Sequence, residues 1–340
     1  MNTPYFTISA SAVVEQYNEM ASFADEVNYS AKTNYDLIPV LEDRTDAGFS
    51  IHFDHAVPRV NDPSRITYFL QGITPTRLNQ LVDNGITTFV IDNPADLNIF
   101  MDWEPPREIT VYLRLRRREN TVKTGKHYVF GMQSTTVNDA VTQLADKDNV
   151  ASVGVHVHRK TQNVAEWRLR DELSDTLTDD ALEVIDAVNA GGGFPVQYHN
   201  YQRDTLSSIK QRFDDLHEWT NNHDVTLVIE PGRIIAAPPG ELHTTIINVY
   251  NDTVVVDASV YNAAMDTFVA NTRLQISEET DDGDPYTLKG RTPDSLDILR
   301  YKARLDNPER GDTLTFENAT AYNYSSDFCD LPRPTTEITE

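Results

Sequence analysis

The sequence has 340 residues, 39% of them hydrophobic, and 29 Lys+Arg against 53 Asp+Glu give a formal net charge of −24. This length fits about two domains, or one large barrel with a smaller module, and it supports a packed core. The sequence contains neither a run of about 18 apolar residues nor an apolar run behind a basic N-terminus, and it has a single cysteine. We therefore expect no membrane span, no secretory signal, no intrachain disulfide and no multi-cysteine zinc site. The acidic excess also argues against nucleic-acid binding, because contact with phosphates requires clustered cations.

The charge composition also indicates the kind of environment in which the protein works. Only eight of the basic residues are lysines, whereas carboxylates are abundant. This pattern is typical of halophilic proteins, since high salt screens the repulsion between surface carboxylates. The alternative is an ordinary acidic cytoplasmic enzyme, and both interpretations place the chain in the cytoplasm.

Short β-rich runs alternate with helical patterns over the first part of the chain. The predicted helices are 11–24, 35–44, 75–84, 94–102, 135–146, 165–174 and 203–220. The predicted strands are 27–31, 47–51, 66–70, 87–91, 110–115, 152–157, 183–189 and 225–229. Strands that alternate with helices form βαβ units with parallel strands. The eight strands therefore predict an α/β fold, with a closed (β/α)8 TIM barrel over residues 9–240.

The pattern changes after the Pro-Pro-Gly sequence at 238–240. Strands without long helices between them are predicted at 244–250, 253–257, 286–289 and 313–317. We therefore expect a β-rich domain, of β-sandwich or β-barrel type, over residues 241–340, joined by an N-terminal strand within residues 1–8. The acidic segment 277–285 is predicted to be a solvated loop, and the last six residues a frayed tail.

The first predicted barrel strand is followed directly by Lys32. The carboxyl ends of barrel strands face the mouth in which barrel enzymes hold their active sites. A lysine there is partly desolvated, so its pKa falls and its amine becomes nucleophilic toward an aldehyde. The alternative is a solvated lysine at the end of a strand.

A glycine triplet, Gly191, Gly192 and Gly193, follows the seventh predicted strand. Consecutive glycines allow backbone N–H groups to turn toward an anion and allow a phosphate to approach closely. An ordinary turn is the alternative interpretation.

The eighth predicted strand is followed by Glu230, Pro231, Gly232 and Arg233. Loops after the seventh and eighth strands of barrels often form a phosphate site, and a guanidinium offers forked donors to a phosphate. The carboxylate of Glu230 can accept a hydrogen bond from a protonated ring nitrogen. The alternative is a salt-bridged turn.

The sixth predicted strand ends in two histidines, His156 and His158, which share one face because strand residues alternate. As a metal pair they lack a third ligand at a diagnostic spacing, so we expect no metal. A core histidine or a stacking histidine is the stronger interpretation, and the imidazole of His158 is well suited to lie flat on an aromatic cofactor.

All these residues follow barrel strands, so they are expected to lie at the same rim of the barrel. A phosphate-bearing aldehyde with a pyridine ring would use each of them, and that cofactor is pyridoxal 5′-phosphate. The aldehyde would bond Lys32, the phosphate would lie on the glycine triplet and Arg233, and the ring nitrogen would face Glu230.

Seven motifs, in this order along nearly the whole chain, carry a family resemblance. They are NYSAKTN, GVHVHRKTQ, GGGFP, EPGR, DASVYNAAMDT, GRTPDSLD and TAYNYSSDFCDLPRP. Together they resemble the fold-type III pyridoxal-phosphate decarboxylases, the group of ornithine, diaminopimelate and arginine decarboxylases. The resemblance implies an alanine racemase-like barrel that carries the cofactor, a β-domain, and a head-to-tail homodimer with active sites at the interface.

The resemblance also implies roles for single residues. Lys32 would bond the cofactor and His158 would stack on its ring, while Thr161 stands where the family has a phosphate-binding serine. Tyr322 matches a tyrosine that approaches the cofactor from its own subunit. Asp294 matches the acidic residue, contributed by the partner subunit, that binds the distal amine of the substrate, and an aspartate there is similar to the ornithine-type enzymes. The cofactor-binding set comprises Lys32, His158, Thr161, Gly191, Gly192, Gly193, Glu230, Gly232, Arg233 and Tyr322.

The sequence also departs from the family pattern. Pro293 stands where the family has a cysteine that returns a proton to the substrate carbanion, and proline has no such proton. Ser50 occupies a place where ornithine-type enzymes have an aspartate. Arg159 and Lys160 replace an apolar residue and a glycine.

Three explanations of the missing proton donor stay open. Lys32 or water could return the proton. Cys329 could substitute for the cysteine, although a small buried hydrophobe is the alternative interpretation of that residue. The chain could also be a relative with altered or lost activity.

The sequence therefore predicts a carbon–carbon lyase that decarboxylates a basic or amine-tailed amino acid, such as ornithine, lysine, arginine or a conjugate. The products would be CO2 and an amine of polyamine biosynthesis or amino-acid metabolism. The alternatives are a diaminopimelate-type decarboxylase or a racemase of the same fold, and a non-catalytic homologue that binds the cofactor.

Overall fold

The computed structural model describes residues 3–116, 129–163, 165–201, 206–323 and 325–340. The chain forms two compact units. One, here called the sheet unit, comprises Met1–Gln16, Val196–Asp204 and Arg233–Glu340, and the other, the barrel unit, comprises Tyr17–Pro195 and Thr205–Gly232. The domain boundaries that we expect from the sequence, at residues 9–240 and 241–340, stay a prediction.

The strands of the described residues are, in chain order, β1 (Tyr5–Ser9), β2 (Glu26–Ser30), β3 (Gly48–Ile51), β4 (Ile66–Leu70), β5 (Thr88–Ile91), β6 (Ile109–Arg114), β7 (Val150–His156), β8 (Ala187–Asn189), β9 (Thr226–Ile229), β10 (Gly240–Tyr250), β11 (Thr253–Val256), β12 (Gln275–Ile276), β13 (Asp284–Lys289), β14 (Ile298–Leu305), β15 (Thr313–Glu317) and β16 (Thr335–Thr339). The α-helices are α1 (Ala10–Ala21), α2 (Ile38–Arg44), α3 (Pro75–Asp83), α4 (Pro94–Asp102), α5 (Ser134–Ala145), α6 (Leu169–Thr176), α7 (Asp179–Leu182), α8 (Leu206–Asn221), α9 (Arg233–Ala236), α10 (Val260–Ala263) and α11 (Asp266–Val269).

The barrel unit contains a closed barrel of eight parallel strands, β2 to β9 in sequence order. The barrel closes where Glu26 and Val27 of β2 pair with Val228 and Ile229 of β9. These strands are short runs of β-branched and aromatic residues, and β4 is buried along its whole length, as parallel strands covered on both faces must be. The predicted (β/α)8 TIM barrel of an α/β fold is confirmed.

Helices α3 and α4 begin where their sequence signals lie. The side chain of Thr74 caps α3 and that of Asn93 caps α4, and each cap is followed by a proline at the first helical position. The predicted helix 203–220 corresponds to α8, and its first residues lie outside the described part of the chain.

One barrel strand was predicted too long. The prediction was 183–189, but β8 comprises only Ala187–Asn189. Thr178 accepts a hydrogen bond from the backbone N–H of Ala181 and so starts the short helix α7. The chain therefore leaves helical structure just before the position at which we predicted a strand.

The sheet unit contains an eight-stranded sheet in which β12, β15, β10, β11, β13 and β14 are neighbours in that order. Strand β1 pairs antiparallel with β10 and parallel with β16. The prediction that an N-terminal strand joins a β-rich C-terminal domain is confirmed. The prediction of a frayed tail is wrong, because Thr335–Thr339 pairs along its full length with β1, and β14 was missed because charged residues interrupt its apolar pattern.

Within the described residues, no helix combines the length and the apolar composition that crossing a bilayer requires.

The pairing of β1 with β16 provides a test of what stabilises the sheet. Ile8 and Ile338 are paired across these strands, yet Ile8 is 0% exposed and Ile338 is 42% exposed. We expect Ile8→Ala to lower the free energy of unfolding by about 3 kcal/mol, because it leaves a cavity in the core. Ile338→Ala is the matched control, with an expected change below about 0.5 kcal/mol. Urea unfolding of both variants measures the difference, and equal effects would contradict the assignment of Ile8 to the core.

Candidate active site

Five residues of chemical interest lie at the carboxyl ends of barrel strands. Lys32 follows β2, His52 follows β3, His156 ends β7, Gly191 follows β8, and Glu230 follows β9. Because all eight strands are parallel, these residues meet at one rim of the barrel. This rim is the candidate active site.

Lys32 lies in a 3-10 turn, Ala31–Thr33, that begins where β2 ends. Its side chain is partly buried, and Nζ is 3.2 Å from Nε2 of His52. Burial lowers the pKa of the amine, the carboxylate of Glu230 partly offsets this, and the cation of Arg114 lowers the pKa further. The amine is therefore more readily unprotonated, and hence nucleophilic, than an ordinary lysine.

The carboxylate of Glu230 is buried and receives three hydrogen bonds. Oε1 accepts from Oγ of Ser50 at 2.7 Å and from Nδ2 of Asn189 at 3.1 Å, and Oε2 accepts from Nε2 of His156 at 3.0 Å. Burial raises the pKa of Glu230, but the contacts of His156 and the hydrogen bond of Ser50 outweigh it and lower the pKa to about 2. Burial lowers the pKa of His156. At neutral pH the pair therefore consists of a carboxylate and a neutral imidazole that donates its N–H.

The rings of His156 and His158 are parallel, with an angle of 5° and 6.4 Å between their centroids. Burial and the nearby cations, Arg114 first among them, hold the pKa of His158 well below its ordinary value. His158 therefore presents a neutral ring at the rim. Within the described residues, no group of three or more His, Cys, Asp or Glu is placed to hold a metal ion.

The glycine triplet passes very close to the neighbouring strand ends. A Cβ on Gly191 would lie 2.2 Å from the carbonyl oxygen of Val157 and 3.3 Å from Nδ1 of His158. A Cβ on Gly192 would lie 2.5 Å from the carbonyl oxygen of Glu230. Gly191 also has a φ of +65°, which favours glycine. The triplet thus fits between the loop of His158 and the loop of Glu230, where no side chain has room.

Two more positions near the rim are explained by close packing. A Cβ on Gly232 would lie 2.2 Å from Oγ1 of Thr33, so this glycine allows the turn of Lys32 to approach. Arg159 is fully buried, its guanidinium lies 4.0 Å from the ring centroid of Trp167, and Nη2 donates to the carbonyl of Ala190 at 2.8 Å. This arginine therefore holds the residue that precedes the glycine triplet, while Thr161 lies partly buried in the turn beyond it.

In the sheet unit, Arg233 is buried in an ion pair. Its Nη1 donates to Oδ2 of Asp266 at 2.6 Å and to Oη of Tyr198 at 3.0 Å. The guanidinium also lies 4.9 Å from the ring centroid of Tyr322. Asp266 therefore neutralises part of the charge that we assigned to a phosphate, and that assignment stays a prediction.

Asp294 and Cys329 also belong to the sheet unit. Asp294 is partly buried, its Oδ1 accepts from the backbone N–H of Leu296 at 2.7 Å, and beside burial it raises the pKa of Tyr261. Cys329 is exposed, so the interpretation of this residue as a small buried hydrophobe is wrong. Pro293 is exposed as well.

Three residues of the site, His52, Asn189 and Arg114, were not predicted from the sequence. Arg114 and Asn189 are the last residues of their barrel strands, and His52 directly follows a strand. A polar residue at the carboxyl end of an apolar strand is therefore the sequence signal by which they could have been predicted. Nη1 of Arg114 donates to Oδ1 of Asp92 at 2.7 Å, and Nε2 of Gln71 donates to Oδ2 of Asp92 at 3.0 Å. Ser50, noted only as a departure, is a donor to the central carboxylate.

Comparison with known proteins extends these observations. Residues 13–237 match the model of the family described as pyridoxal-dependent decarboxylase, pyridoxal binding domain. The diaminopimelate decarboxylase of Pseudomonas aeruginosa is 25% identical, over 95% of this chain and 83% of its own length. The ornithine decarboxylase of Caenorhabditis elegans is 22% identical, over 88% of this chain and 77% of its own. The solved structure of diaminopimelate decarboxylase from Helicobacter pylori complexed with L-lysine shares the fold, with a TM-score of 0.85, 20% identity, and coverage of 100% of this chain and 92% of that one.

The lowered pKa of Glu230 makes the stability of the protein depend on pH. The pKa is about 2 in the folded chain against an ordinary value of 4.5, so protonation favours unfolding. The stabilisation is complete above about pH 5 and is lost as the pH falls toward 2, with a loss of about 2 kcal/mol between pH 7 and pH 3. We expect Glu230→Gln to be less stable than the wild type at pH 7, and the difference to shrink by about this amount at pH 3. Urea unfolding at both pH values measures it, and a constant difference would contradict an ionised Glu230.

Proposed function

The chain belongs to the pyridoxal-dependent decarboxylase family, and on this premise we propose that it decarboxylates a basic or amine-tailed amino acid. Membership makes it a pyridoxal 5′-phosphate-dependent amino-acid decarboxylase, a carbon–carbon lyase. The observation that carries the proposal is the partly buried Lys32 amine, with its lowered pKa, at the same rim as the buried carboxylate of Glu230.

The residues of the rim suit this cofactor. Within the described residues, three buried polar atoms near Lys32 have no hydrogen-bond partner: Oγ1 of Thr33, Nδ1 of His52 and Nδ1 of His156. A ligand with several oxygen and nitrogen atoms can satisfy such groups, which cost free energy when they are left unpaired. The glycine turn leaves backbone, and no side chain, beside His158. These features support the fit of a phosphorylated pyridine aldehyde.

Each role that we assign rests on the chemistry of a side chain. The Lys32 amine would hold the cofactor through its aldehyde, and the neutral ring of His158 would stack on its ring. The Glu230 carboxylate keeps a proton on the ring nitrogen by pairing with it. When bound, the cofactor supplies the bond to the substrate amine and a ring that accepts the electron pair left by CO2. The phosphate is assigned to Thr161, Gly191, Gly192, Gly193 and Arg233, while Gly232 and Tyr322 complete the proposed cofactor-binding set.

Return of a proton to the substrate α-carbon is the step for which the chain lacks the family's cysteine. We keep Lys32, water and Cys329 as the donors for this step. The lowered pKa of Lys32 supports the first, since its ammonium releases a proton more readily than that of an ordinary lysine.

We propose a homodimer in which Asp294 of one subunit binds the distal amine of the substrate in the site of its partner. An exposed apolar patch supports this assembly. It includes Leu296, which is 62% exposed and two residues from Asp294, and Phe328, which is 44% exposed. The ring centroid of Phe328 lies 4.1 Å from that of Tyr261, with the two rings tilted by 36°. Exposed apolar side chains grouped in this way mark interaction sites.

A diaminopimelate-type decarboxylation is the second candidate, and it is favoured by the relative from Pseudomonas aeruginosa. The product of the first candidate is a diamine or a polyamine precursor. We further propose that the enzyme works in the cytoplasm at high salt, on the strength of its net charge of −24.

The proposed function is tested with Lys32→Ala. Wild-type protein with pyridoxal 5′-phosphate, in low and high salt, is expected to release CO2 from at least one of L-ornithine, L-lysine, L-arginine and meso-diaminopimelate. Lys32→Ala is expected to lose the visible absorbance of the bound cofactor and several orders of magnitude in turnover. Cys329→Ala is the parallel variant, and retained turnover there excludes Cys329 as the proton donor. Full turnover by Lys32→Ala would refute the site, and racemisation without CO2 would indicate a racemase.

The role of Asp294 is tested separately with Asp294→Asn. Loss of a charge-assisted pair is expected to raise KM for substrates with a distal amine by about 10- to 100-fold, with a smaller effect on kcat. The exposed Asp330→Asn, near the same surface of the chain, is the control for charge alone. An unchanged KM would remove Asp294 from the substrate site.

A further inference from the structure

His52 lies within hydrogen-bond distance of the Lys32 amine, and no function has been assigned to it. It follows β3, and its ring lies flat on that of Phe69, with centroids 4.3 Å apart and an angle of 10°. Phe69 is buried and also meets the ring of His156 edge-on at 5.3 Å. The packing therefore fixes the His52 ring, and with it Nε2, 3.2 Å from Nζ of Lys32.

The surroundings of His52 indicate which of its nitrogens carries the proton. Within the described part of the chain, its buried Nδ1 has no hydrogen-bond partner. A proton on Nδ1 would be a buried donor without an acceptor, which is rarer and more costly than an acceptor without a donor. The proton therefore belongs on Nε2, where it points at the lone pair of the Lys32 nitrogen.

The charged groups around the ring keep it neutral. Burial, then the cation of Lys32, lower the pKa of His52 to about 3; Glu230 opposes this, and His156 and Arg114 add to it. A ring with this pKa is neutral around pH 7 and is a constant N–H donor there, so titration of the ring does not alter its contact with Lys32 near neutral pH.

We propose that His52 is a positioning residue that donates its Nε2–H to the Lys32 nitrogen and thereby stabilises the neutral form of that amine. The inference rests on the proposed function in one respect, since the neutral amine is the form that attacks the cofactor aldehyde. With this donor in place, a larger fraction of Lys32 is nucleophilic at neutral pH.

A hydrogen bond in the opposite direction predicts the opposite change in the pKa of Lys32. If the Lys32 ammonium donated to an unprotonated Nε2, His52 would stabilise the charged amine and raise its pKa. Removal of the imidazole therefore changes the pKa of Lys32 in a direction that identifies the donor.

The test measures the pKa of Lys32 directly in the full-length chain after removal of the cofactor with hydroxylamine. Competitive acetylation with acetic anhydride from pH 6 to pH 11, with mass spectrometry of the peptide that contains Lys32, gives the pKa. In His52→Phe, which keeps a ring on Phe69 but removes the donor, we expect the pKa of Lys32 to rise by about one unit, as the loss of one hydrogen bond implies. In His52→Gln, whose amide can still donate, we expect a pKa within about 0.3 units of the wild type.

Two further readouts sharpen the result. Lys147, whose Nζ donates to the carbonyl of Met101 at 2.9 Å, lies in the same unit and serves as an internal control with an unchanged profile. The rate at which the stripped chain captures pyridoxal 5′-phosphate at pH 7 is expected to fall about tenfold in His52→Phe, in proportion to the neutral fraction of the amine.

A fall in the Lys32 pKa in His52→Phe, or no change while Lys147 keeps its profile, would overturn the proposal. If His52→Phe does not fold, His52→Gln together with His52→Leu provides the same comparison. Because acetylation reports only the proton affinity of Lys32, the outcome is independent of the proposed function. Turnover by Lys32→Ala would refute that function without affecting the acetylation result.

Discussion

A single buried carboxylate organises the mouth of the barrel. Glu230 follows β9 and receives donors from Ser50 of β3, His156 of β7 and Asn189 of β8. An ionised carboxylate without such donors would be strongly unfavourable in this environment, whereas with them it stays charged at neutral pH. The three hydrogen bonds thus join the ends of four strands, and loss of any one of them leaves a buried charge less well paired.

This negative charge also sets the chemistry of its neighbours. Burial keeps His52, His156 and His158 neutral and lowers the pKa of Lys32, while Glu230 acts in the opposite sense on the first two histidines and on the lysine. The rim therefore combines the Glu230 carboxylate with neutral rings and an amine whose pKa is lowered. Such a combination suits the capture of an aldehyde and the stabilisation of a protonated ring nitrogen.

Close packing restricts the same region to particular residues. Gly191, Gly192 and Gly232 lie where a Cβ would come within 2.6 Å of another atom of the rim. The backbone of these loops therefore sits directly against the elements that carry Lys32, His158 and Glu230. The glycines therefore allow protein segments to approach closely, and they leave backbone without side chains where we place the phosphate. In the sheet unit, the ion pair of Arg233 and Asp266 gives the residue after Gly232 an equally fixed position.

The sequence by itself determined the order of the eight barrel strands and the positions of Lys32, His158, the glycine triplet and Glu230 at strand ends. These features are local, because hydrophobic periodicity and strand ends are visible within a few residues. Only the tertiary structure decided which groups contact the Glu230 carboxylate, since its partners are 180, 74 and 41 residues away along the chain. The same holds for the contact of His52 with Lys32 and for the pairing of Arg233 with Asp266. It holds also for the final strand, whose polar sequence forms a β-strand because β1 offers a free edge to its backbone. Contacts of this kind depend on the closure of the barrel and the pairing of distant strands, and no short pattern of residues encodes them.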